Sequence, residues 1–170
     1  MRIDLLIDGR SGSGKTELAA AITALWPEAQ LVRMDDLYEG WDGLEAGTIA
    51  LLAALDSGLW QRWDWATERR AEWHELDPAR PLVVEGVGAL TAATRLRASL
   101  ALWVETDEPT RRTRALARDA YFAEHWDAWA AQEEAFLARE RPASLADAIV
   151  PGYDVARYAA EWRARAGVSA

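Results

Sequence analysis

Short apolar runs alternate with longer stretches of helical periodicity along this chain. Runs of three to five largely apolar residues are typical of strands that are buried in a parallel sheet. Five segments fit that pattern, at residues 3–7, 30–34, 82–84, 100–104 and 148–150. The remaining apolar residues recur at helical spacing and predict helices at 15–26, 44–55, 89–96, 108–121, 125–139 and 153–165.

This alternation predicts an α/β fold with a central five-stranded parallel sheet and helices on both of its faces. Parallel strands require crossover connections, and those connections are right-handed in nearly all sheets. No repeat or linker interrupts the pattern, so we expect residues 1–170 to form one domain. Two stretches without a predicted strand, 36–81 and 106–147, are too long for plain crossovers and predict helical insertions that cover a substrate.

The amino-acid composition disfavours several kinds of binding partner. The chain has 28 acidic and 19 basic residues, a net charge of −9, which disfavours binding to nucleic acid or to an anionic membrane. It has no cysteine, which excludes disulfides and cysteine-bound metals. No apolar run approaches the roughly 20 residues of a membrane helix, and the N-terminus lacks a signal-peptide pattern. We therefore expect a cytoplasmic protein that acts on a small molecule.

One segment carries a specific chemical signature. Residues 9–16 read Gly-Arg-Ser-Gly-Ser-Gly-Lys-Thr between the first predicted strand and helix, which matches G-x-x-x-x-G-K-[ST] in its required context. Glycines let the backbone N–H groups curl around phosphate oxygens, and the helix N-terminus adds partial positive charge. The residues expected to hold a nucleoside triphosphate are Gly9, Ser11, Gly12, Ser13, Gly14, Lys15 and Thr16.

Lys15 and Thr16 have distinct expected roles within this loop. Lys15 is the single lysine beside 18 arginines, and it is expected to reach the terminal phosphates. The Thr16 hydroxyl is expected to bind Mg²⁺. The chain lacks asparagine and so has no Asn-Lys-x-Asp guanine-reading element, and it is too short for a large motor ATPase. A small kinase remains the best match.

Three acidic residues end the predicted strands near this loop. Asp35 and Asp36 follow the second strand and Glu85 ends the third, at the edge where open α/β sheets bind ligands. A carboxylate there can accept the proton of an alcohol, and Glu85 can hold Mg²⁺ directly or through water. The alternative role for each is to cap the turn or helix that follows.

Three arginines, at 111, 114 and 118, share one face of a predicted helix. Asp107 can pair with Arg111, whereas Arg114 and Arg118 have no acidic residue three or four positions away. An unpaired row of basic side chains in an acidic protein favours the binding of an anion, and the phosphates of ATP are the candidate. The alternative is a solvated face with tertiary ion pairs.

Aromatic residues concentrate in the first insertion. Five of the 10 tryptophans fall within 36–81, and one or two of them are expected to stack on a planar substrate while the others pack in the core. Trp126 and Trp129 are expected to be ordinary buried aromatics. His74 and His125 lack paired ligand spacing, so zinc is not indicated and both are interpreted as surface or capping residues.

In combination, these elements resemble the uridine kinase-like family of P-loop kinases. The phosphate loop is followed in order by Met-Asp-Asp-Leu-Tyr at 34–38, Trp-Asp-Trp at 63–65, Val-Glu-Gly at 84–86 and Arg-x-x-Arg-x-x-x-Arg-Asp at 111–119. The resemblance covers about three-quarters of the chain. It implies ATP·Mg²⁺ as the phosphate donor, a five-stranded sheet, and a mobile lid at 106–141.

The same resemblance implies site residues. It assigns catalytic roles to Lys15, Asp35, Arg114 and Arg118, and contacts with the nucleotide to Arg111 and Arg114. The implied acceptor-site residues are Asp35, Asp36, Tyr38, Trp63, Trp65 and Glu85. Asp35 matches the catalytic aspartate of the family, although spacing alone leaves Asp36 open for that role.

The chain also departs from the family pattern. It is shorter than typical uridine kinases, and no histidine follows Trp65 to bond a pyrimidine edge. Ile-Asp-Gly at 7–9 is similar to cytidylate kinases, whose insert is not evident. The resemblance predicts ATP-dependent phosphorylation of a hydroxyl of a nucleoside or similar metabolite, by a monomer or homodimer. The alternatives are a nucleoside monophosphate, shikimate- or gluconate-type kinase, or a non-catalytic ATP-binding regulatory module.

Overall fold

The computed structural model describes residues 1–118 and 121–166, with the side chains of Arg118 and of 163–166 left outside the description. The strands are β1 Ile3–Asp8, β2 Gln30–Arg33, β3 Leu59–Asp64, β4 Arg69–Glu75, β5 Leu82–Glu85, β6 Ala98–Glu105 and β7 Ala148–Pro151. The helices are α1 Lys15–Leu25, α2 Leu44–Ser57, α3 Ala92–Arg95, α4 Glu108–Arg118, α5 Phe122–Glu140, α6 Pro142–Leu145 and α7 Val155–Ala166.

Five strands form one parallel sheet in the order β2-β5-β1-β6-β7. β1 occupies its centre, where Leu6 pairs with Val84 of β5 and with Ala101 of β6. Both faces of the sheet are covered by helices, which confirms the predicted α/β class and the five-stranded parallel sheet. The carboxyl ends of all five strands therefore meet along one edge, where the candidate site lies.

The core consists of two apolar layers on opposite faces of this sheet. Side chains alternate along a strand, so Leu6 and Val84 join one layer while Leu5 and Val83 join the other. α1 and α7 cover the second layer, and Trp26 contacts Trp162 between them with ring centroids 5.3 Å apart. This packing anchors α1, whose first turn carries the phosphate loop.

The insertion between β2 and β5 differs from the predicted one. Besides α2 it contains an antiparallel hairpin, β3 and β4, in a stretch predicted to have no strand. Both hairpin strands are mostly half-exposed mixtures of charged and aromatic residues, so they lack the apolar run of a buried strand. The turn also lacks an Asn-Gly or Asp-Gly signal, and Glu68 adopts a positive φ of 51° there instead of a glycine.

Several helix boundaries also differ from the sequence prediction. The helix predicted at 89–96 is reduced to α3, which a capping box of Thr91 and Thr94 fixes at its start. The structure places the end of α4 at Arg118 and starts α5 at Phe122, three residues earlier than predicted. The Asp107 carboxylate accepts the Thr110 N–H at 3.0 Å and so caps α4, as the predicted helix start requires. None of the helices in the described part of the chain has the length and apolarity needed to cross a membrane.

Candidate active site

The phosphate loop joins β1 to α1 and depends on glycine for its shape. Gly12 and Gly14 have φ values of 77° and 104°, which side chains other than glycine rarely adopt. A Cβ added at Gly12 would lie 2.1 Å from the Arg111 backbone oxygen, so this position also has no room for one. Helix α4 therefore packs directly against the loop, and the loop is held in one conformation.

The polar groups of the loop and of the first turn of α1 suit the phosphates of a nucleotide. Lys15 has only 7% of its surface exposed, and it occupies the first turn of α1. The first N–H groups of a helix have no partner within the helix, so those at Lys15 and Thr16 are available to an anion. The Ser13 hydroxyl is buried and has no partner among the described residues. A cradle of this kind fits the phosphates of a nucleotide.

Ser11 departs from the predicted phosphate contact, because the protein itself engages its polar groups. Its N–H donates to the Glu133 carboxylate at 2.8 Å, and its carbonyl accepts from the Arg111 guanidinium at 3.2 Å. Its hydroxyl accepts from the Trp129 indole N–H at 3.0 Å. Ser11 thus links the loop to α4 and α5.

A hydroxyl and a carboxylate lie together beneath Lys15. The Thr16 Oγ1 is 3.4 Å from Glu85 Oε2, and the Arg33 guanidinium lies 3.9 Å from the same carboxyl group. Burial raises the pKa of Glu85 to about 7, although Lys15 opposes that shift. A hydroxyl beside a carboxylate suits Mg²⁺, which takes oxygen ligands and keeps several waters. Within residues 1–118 and 121–166, no group of three or more acidic or histidine side chains could hold a metal ion, so Glu85 is a single carboxylate beside the Thr16 hydroxyl.

Asp8 ends β1 directly before the phosphate loop. It is fully buried and accepts the Gly9 and Leu90 N–H groups at 2.6 and 2.7 Å. Burial dominates its electrostatics and raises its pKa to about 7, against the opposing effect of these hydrogen bonds. The side chain therefore ties the start of the loop to the segment that follows β5. The sequence analysis assigned no role to it.

A cavity of about 380 Å³ opens on one side of the phosphate loop. Its polar lining includes Lys15, Asp35 and Asp36, of which the two aspartates come from a 3₁₀ turn at the end of β2. Burial is the largest influence on Asp36 and raises its pKa, with the neighbouring Arg33 acting against it. The structure thus brings both predicted aspartates beside the lysine, with Asp35 the more exposed of the two.

Aromatic rings form the opposite wall of this cavity. Tyr38 is fully buried and donates its hydroxyl to the Val87 carbonyl at 2.5 Å. The Trp65 indole N–H donates to the Asp35 backbone carbonyl at 2.8 Å, which fixes the ring over the aspartate turn. The wall is completed by rings from two further parts of the chain, namely Trp41 before α2 and Tyr121, Phe122 and Trp129 at the start and in the first half of α5. Tyr38 and Trp65 thus line one cavity, while their contact with an acceptor stays a prediction.

Trp63 does not line this cavity, contrary to the predicted acceptor wall. It lies on β3 next to a β-bulge, and its buried indole N–H has no partner among the described residues. Trp65 lies beyond the strand end, so the chain turns between the two rings. The Trp-Asp-Trp element thus contributes only its second tryptophan.

The three predicted arginines have different environments. Arg111 is buried and donates to the Thr106 and Ser11 carbonyls, each at 3.2 Å, instead of pairing with Asp107 or facing open solvent. It therefore holds protein groups and not the predicted nucleotide. Arg114 donates to the Gly152 carbonyl at 3.2 Å. The side chain of Arg118 lies outside the described residues.

A second cavity, of about 450 Å³, lies on the other side of the phosphate loop. It is lined by Gly12 and Gly14 of the loop, by Arg114 of α4, and by Gly152 and Val155 after β7. The Ser13 carbonyl accepts the Thr106 hydroxyl at 2.9 Å, which holds the loop to the end of β6. The phosphate loop thus separates two cavities of similar size.

Sequence analysis missed residues on α5. Trp129 was expected to be core, and it is buried, but it also lines the first cavity and donates to Ser11. Glu133 is buried beside the loop and was not singled out at all. His125 stacks on Trp41 with ring centroids 4.3 Å apart, and is not the surface residue that was expected. No sequence signal marked Glu133, because an acid on a long helix is usually solvated.

Together, the sheet order and this loop define a P-loop kinase-like fold. Among solved structures, the chain is similar to a possible uridine kinase from Bacillus stearothermophilus, with a TM-score of 0.60, 21% identity and 88% of each chain covered. It is also similar to an uncharacterized protein from Eubacterium ventriosum, with a TM-score of 0.54, 10% identity, and coverage of 99% and 100%. No family model and no curated protein sequence matches the chain. These likenesses establish the fold.

Proposed function

We propose that the protein is a phosphotransferase that moves the γ-phosphate of ATP·Mg²⁺ to a hydroxyl of a nucleoside or similar small metabolite. The observation that carries this proposal is the position of Asp35, which lines an aromatic cavity together with Lys15. A phosphate donor and a hydroxyl acceptor can then meet at the loop. The likeness to a possible uridine kinase supports the same class of reaction.

On the donor side, the phosphates of ATP lie along the loop, and its adenine ring occupies the second cavity. Lys15 contacts the terminal phosphates, and Arg114 borders the cavity that would receive the base and sugar. Thr16 and Glu85 would hold Mg²⁺ directly or through water, and that ion neutralises phosphate charge when it is bound. Arg114 is exposed and can turn from Gly152 toward the nucleotide.

On the acceptor side, Asp35 acts as the base. The substrate hydroxyl loses its proton to the Asp35 carboxylate as its oxygen forms a bond to the γ-phosphorus and the bond from that phosphorus to the ADP oxygen breaks. Phosphoryl transfer has a loose transition state, so proton transfer contributes about 10²–10⁴-fold, not the whole rate enhancement. The aromatic wall positions the acceptor and excludes water.

The charge of the acceptor cavity favours an uncharged acceptor over an anionic one. Its described acidic and basic side chains are Asp35, Asp36, Glu68 and Lys15, and Lys15 is committed to the donor phosphates. A nucleoside monophosphate, shikimate or gluconate would place a phosphate or carboxylate beside these acids. Such anions are normally bound by arginine or lysine. An uncharged acceptor with a flat apolar part suits the rings and the volume better.

A non-catalytic nucleotide sensor is less well supported. A sensor needs the phosphate loop and a base site, but it has no use for an enclosed cavity beside Asp35. The cavity volume of about 380 Å³ lies in the range of small-molecule sites. The cavity beside Asp35 therefore favours a reaction between two substrates over a nucleotide sensor.

Thermal-shift screening with ADP·Mg²⁺ tests the proposal. Nucleosides, nucleoside monophosphates and sugars are added one at a time, and each hit enters a coupled assay of ADP release from ATP. We expect an uncharged hydroxyl compound to raise Tm further and to support ADP release. Turnover only with phosphorylated or carboxylated acceptors would contradict the assigned acceptor class, and nucleotide binding without turnover on any hit would favour the sensor.

A further inference from the structure

Glu133 is a buried carboxylate that no part of the proposed reaction uses. It lies on α5 with 1% of its side chain exposed. One oxygen accepts the Ser11 N–H at 2.8 Å and the Trp129 indole N–H at 3.2 Å. The other accepts the Arg10 guanidinium at 2.9 Å and has that of Arg111 3.9 Å away.

The convergence of these donors is too specific for a packing role. A buried charge costs several kcal/mol of desolvation, and an apolar residue of similar volume often serves stability equally well. What a carboxylate provides instead is a fixed geometry for its donors. Here those donors come from three places: the phosphate loop, α4 and α5 itself.

Ser11 is the point at which this geometry meets the site. Glu133 holds its N–H, Arg111 its carbonyl and Trp129 its hydroxyl. A loop residue with its backbone and side chain held from three directions has little freedom to move. The next residue, Gly12, borders the donor cavity, while Ser11 and Trp129 line the acceptor cavity.

We propose that Glu133 is a positioning residue for phosphoryl transfer. It holds the first half of the phosphate loop in the conformation that receives the nucleotide, and it links that half to the acceptor wall through Trp129. This inference rests on the proposed function, because a positioning role for Glu133 requires that the loop bind a nucleotide. The two cavities are thus joined by a buried network and not merely adjacent.

Glu134 provides a matched control. It follows Glu133 in the chain, carries the same charge and also pairs with Arg10, yet its side chain is 64% exposed. Exposed ion pairs of this kind contribute little to stability. Any effect that Glu133→Gln shows and Glu134→Gln lacks arises from the buried network and not from the charge of the protein.

The first experiment measures ADP·Mg²⁺ affinity by calorimetry and Ser11 amide hydrogen exchange by NMR. Glu133→Gln is expected to weaken ADP·Mg²⁺ binding by about tenfold and to speed Ser11 exchange by at least about tenfold, since a charge-assisted hydrogen bond becomes a neutral one. The Leu6 amide, in the central strand, should keep its protection, which would show that the change is local. Glu134→Gln should change neither value by more than about twofold.

A second variant covers the case in which Glu133→Gln does not fold. Trp129→Phe keeps an aromatic ring in the wall and removes the indole N–H together with the outer part of the indole, so it should speed Ser11 exchange and weaken ADP·Mg²⁺ binding by about threefold. The wild-type protein supplies a further measurement, because its Ser11 amide should exchange more slowly than that of Gly12 even without a nucleotide.

The outcomes separate this inference from the proposed function. If the wild-type protein binds no ADP·Mg²⁺, the proposed function fails, whereas slow exchange at Ser11 would still establish the network. If the wild-type protein binds ADP·Mg²⁺ and the Glu133→Gln and Trp129→Phe variants bind it equally well, the positioning role is overturned. Equal exchange rates at Ser11 and Gly12 in the wild-type protein would overturn it as well.

Discussion

The phosphate loop and the aromatic wall border the same cavity but are built in different ways. The loop is one segment of eight residues whose backbone shape requires glycine at fixed positions. The wall combines rings from the β2–α2 segment, the hairpin turn and α5, among them Trp41, Trp65 and Trp129. A local backbone requirement leaves a sequence signature, whereas a surface assembled by packing does not.

The two regions also differ in charge and in what they can recognise. The loop offers a lysine, free helical amides and a buried hydroxyl, all of which suit phosphate. The wall offers apolar faces above Asp35 and Asp36, which suit an uncharged acceptor. Variants on each side should therefore affect different substrates, and this difference can be tested.

The largest effect is expected at Lys15 on the loop side. Lys15→Ala should weaken ATP binding by about 100-fold and reduce turnover below detection, because no other lysine can replace it. Isothermal calorimetry with ATP·Mg²⁺ and the ADP-release assay measure the two effects. Arg112→Ala, an exposed cation on α4, provides the control and should behave like wild type. Unchanged turnover in Lys15→Ala would contradict the kinase function.

The next largest effect is expected where the two regions meet. Asp35→Asn should leave ATP affinity nearly unchanged and slow transfer by about 10²–10⁴-fold, as loss of a base requires. Asp36→Asn should be milder, and the comparison of kcat for the two variants decides which aspartate is the base. A severe Asp36 variant with a mild Asp35 variant would shift the assignment by one residue.

A smaller effect is expected in the wall. Trp65→Ala should raise the KM of the acceptor about tenfold and leave ATP affinity unchanged, since the ring contacts the acceptor side alone. The exposed Trp73 on β4 serves as the control. Trp63→Ala separates the two hypotheses, because the sequence placed Trp63 in the wall and the structure does not. An equal rise in KM for Trp63→Ala would favour the sequence-based assignment.

The smallest effect concerns pH and Glu85. Burial raises the folded-state pKa of Glu85 to about 7 from 4.5, so the folded protein holds this proton where the unfolded chain has lost it. The free energy of unfolding should therefore fall as pH rises from about 4.5 to 7. Glu85→Gln should reduce the fall in Tm between pH 5 and pH 8 by about 5–10 °C in the nucleotide-free protein with EDTA. Equal pH profiles of the two proteins in scanning calorimetry would contradict this assignment.

The parts of the fold that the sequence predicts are those with a one-dimensional signal. The buried strands and the phosphate loop each depend on neighbours in the chain, and the structure confirms the five-stranded parallel sheet that they predict. The β3–β4 hairpin has no such signal, because its strands are partly exposed and their charged and aromatic residues follow no regular alternation. Its existence depends on packing against α2 and the turn at the end of β2.

The residues of the candidate site also fall into two groups, those that the sequence predicts and those that it does not. Lys15, Asp35 and Tyr38 follow from a motif and from strand ends, where ligand-binding residues of open sheets are expected. The buried position of Arg111 could not be predicted, because its partner carbonyl at Ser11 is 100 residues away. Glu133 was hidden for the same reason, since an acid on a long helix is usually solvated.

The single lysine has a practical consequence for chemical labelling. Lys15 carries the single side-chain primary amine of the sequence. The Met1 amine donates a hydrogen bond to the Leu55 carbonyl, far from the edge of the sheet where the phosphate loop lies. An amine-selective reagent therefore reports on the phosphate loop at one position, and bound nucleotide should shield that position alone. Mass spectrometry of the labelled chain could follow nucleotide occupancy directly, even in a mixture of proteins.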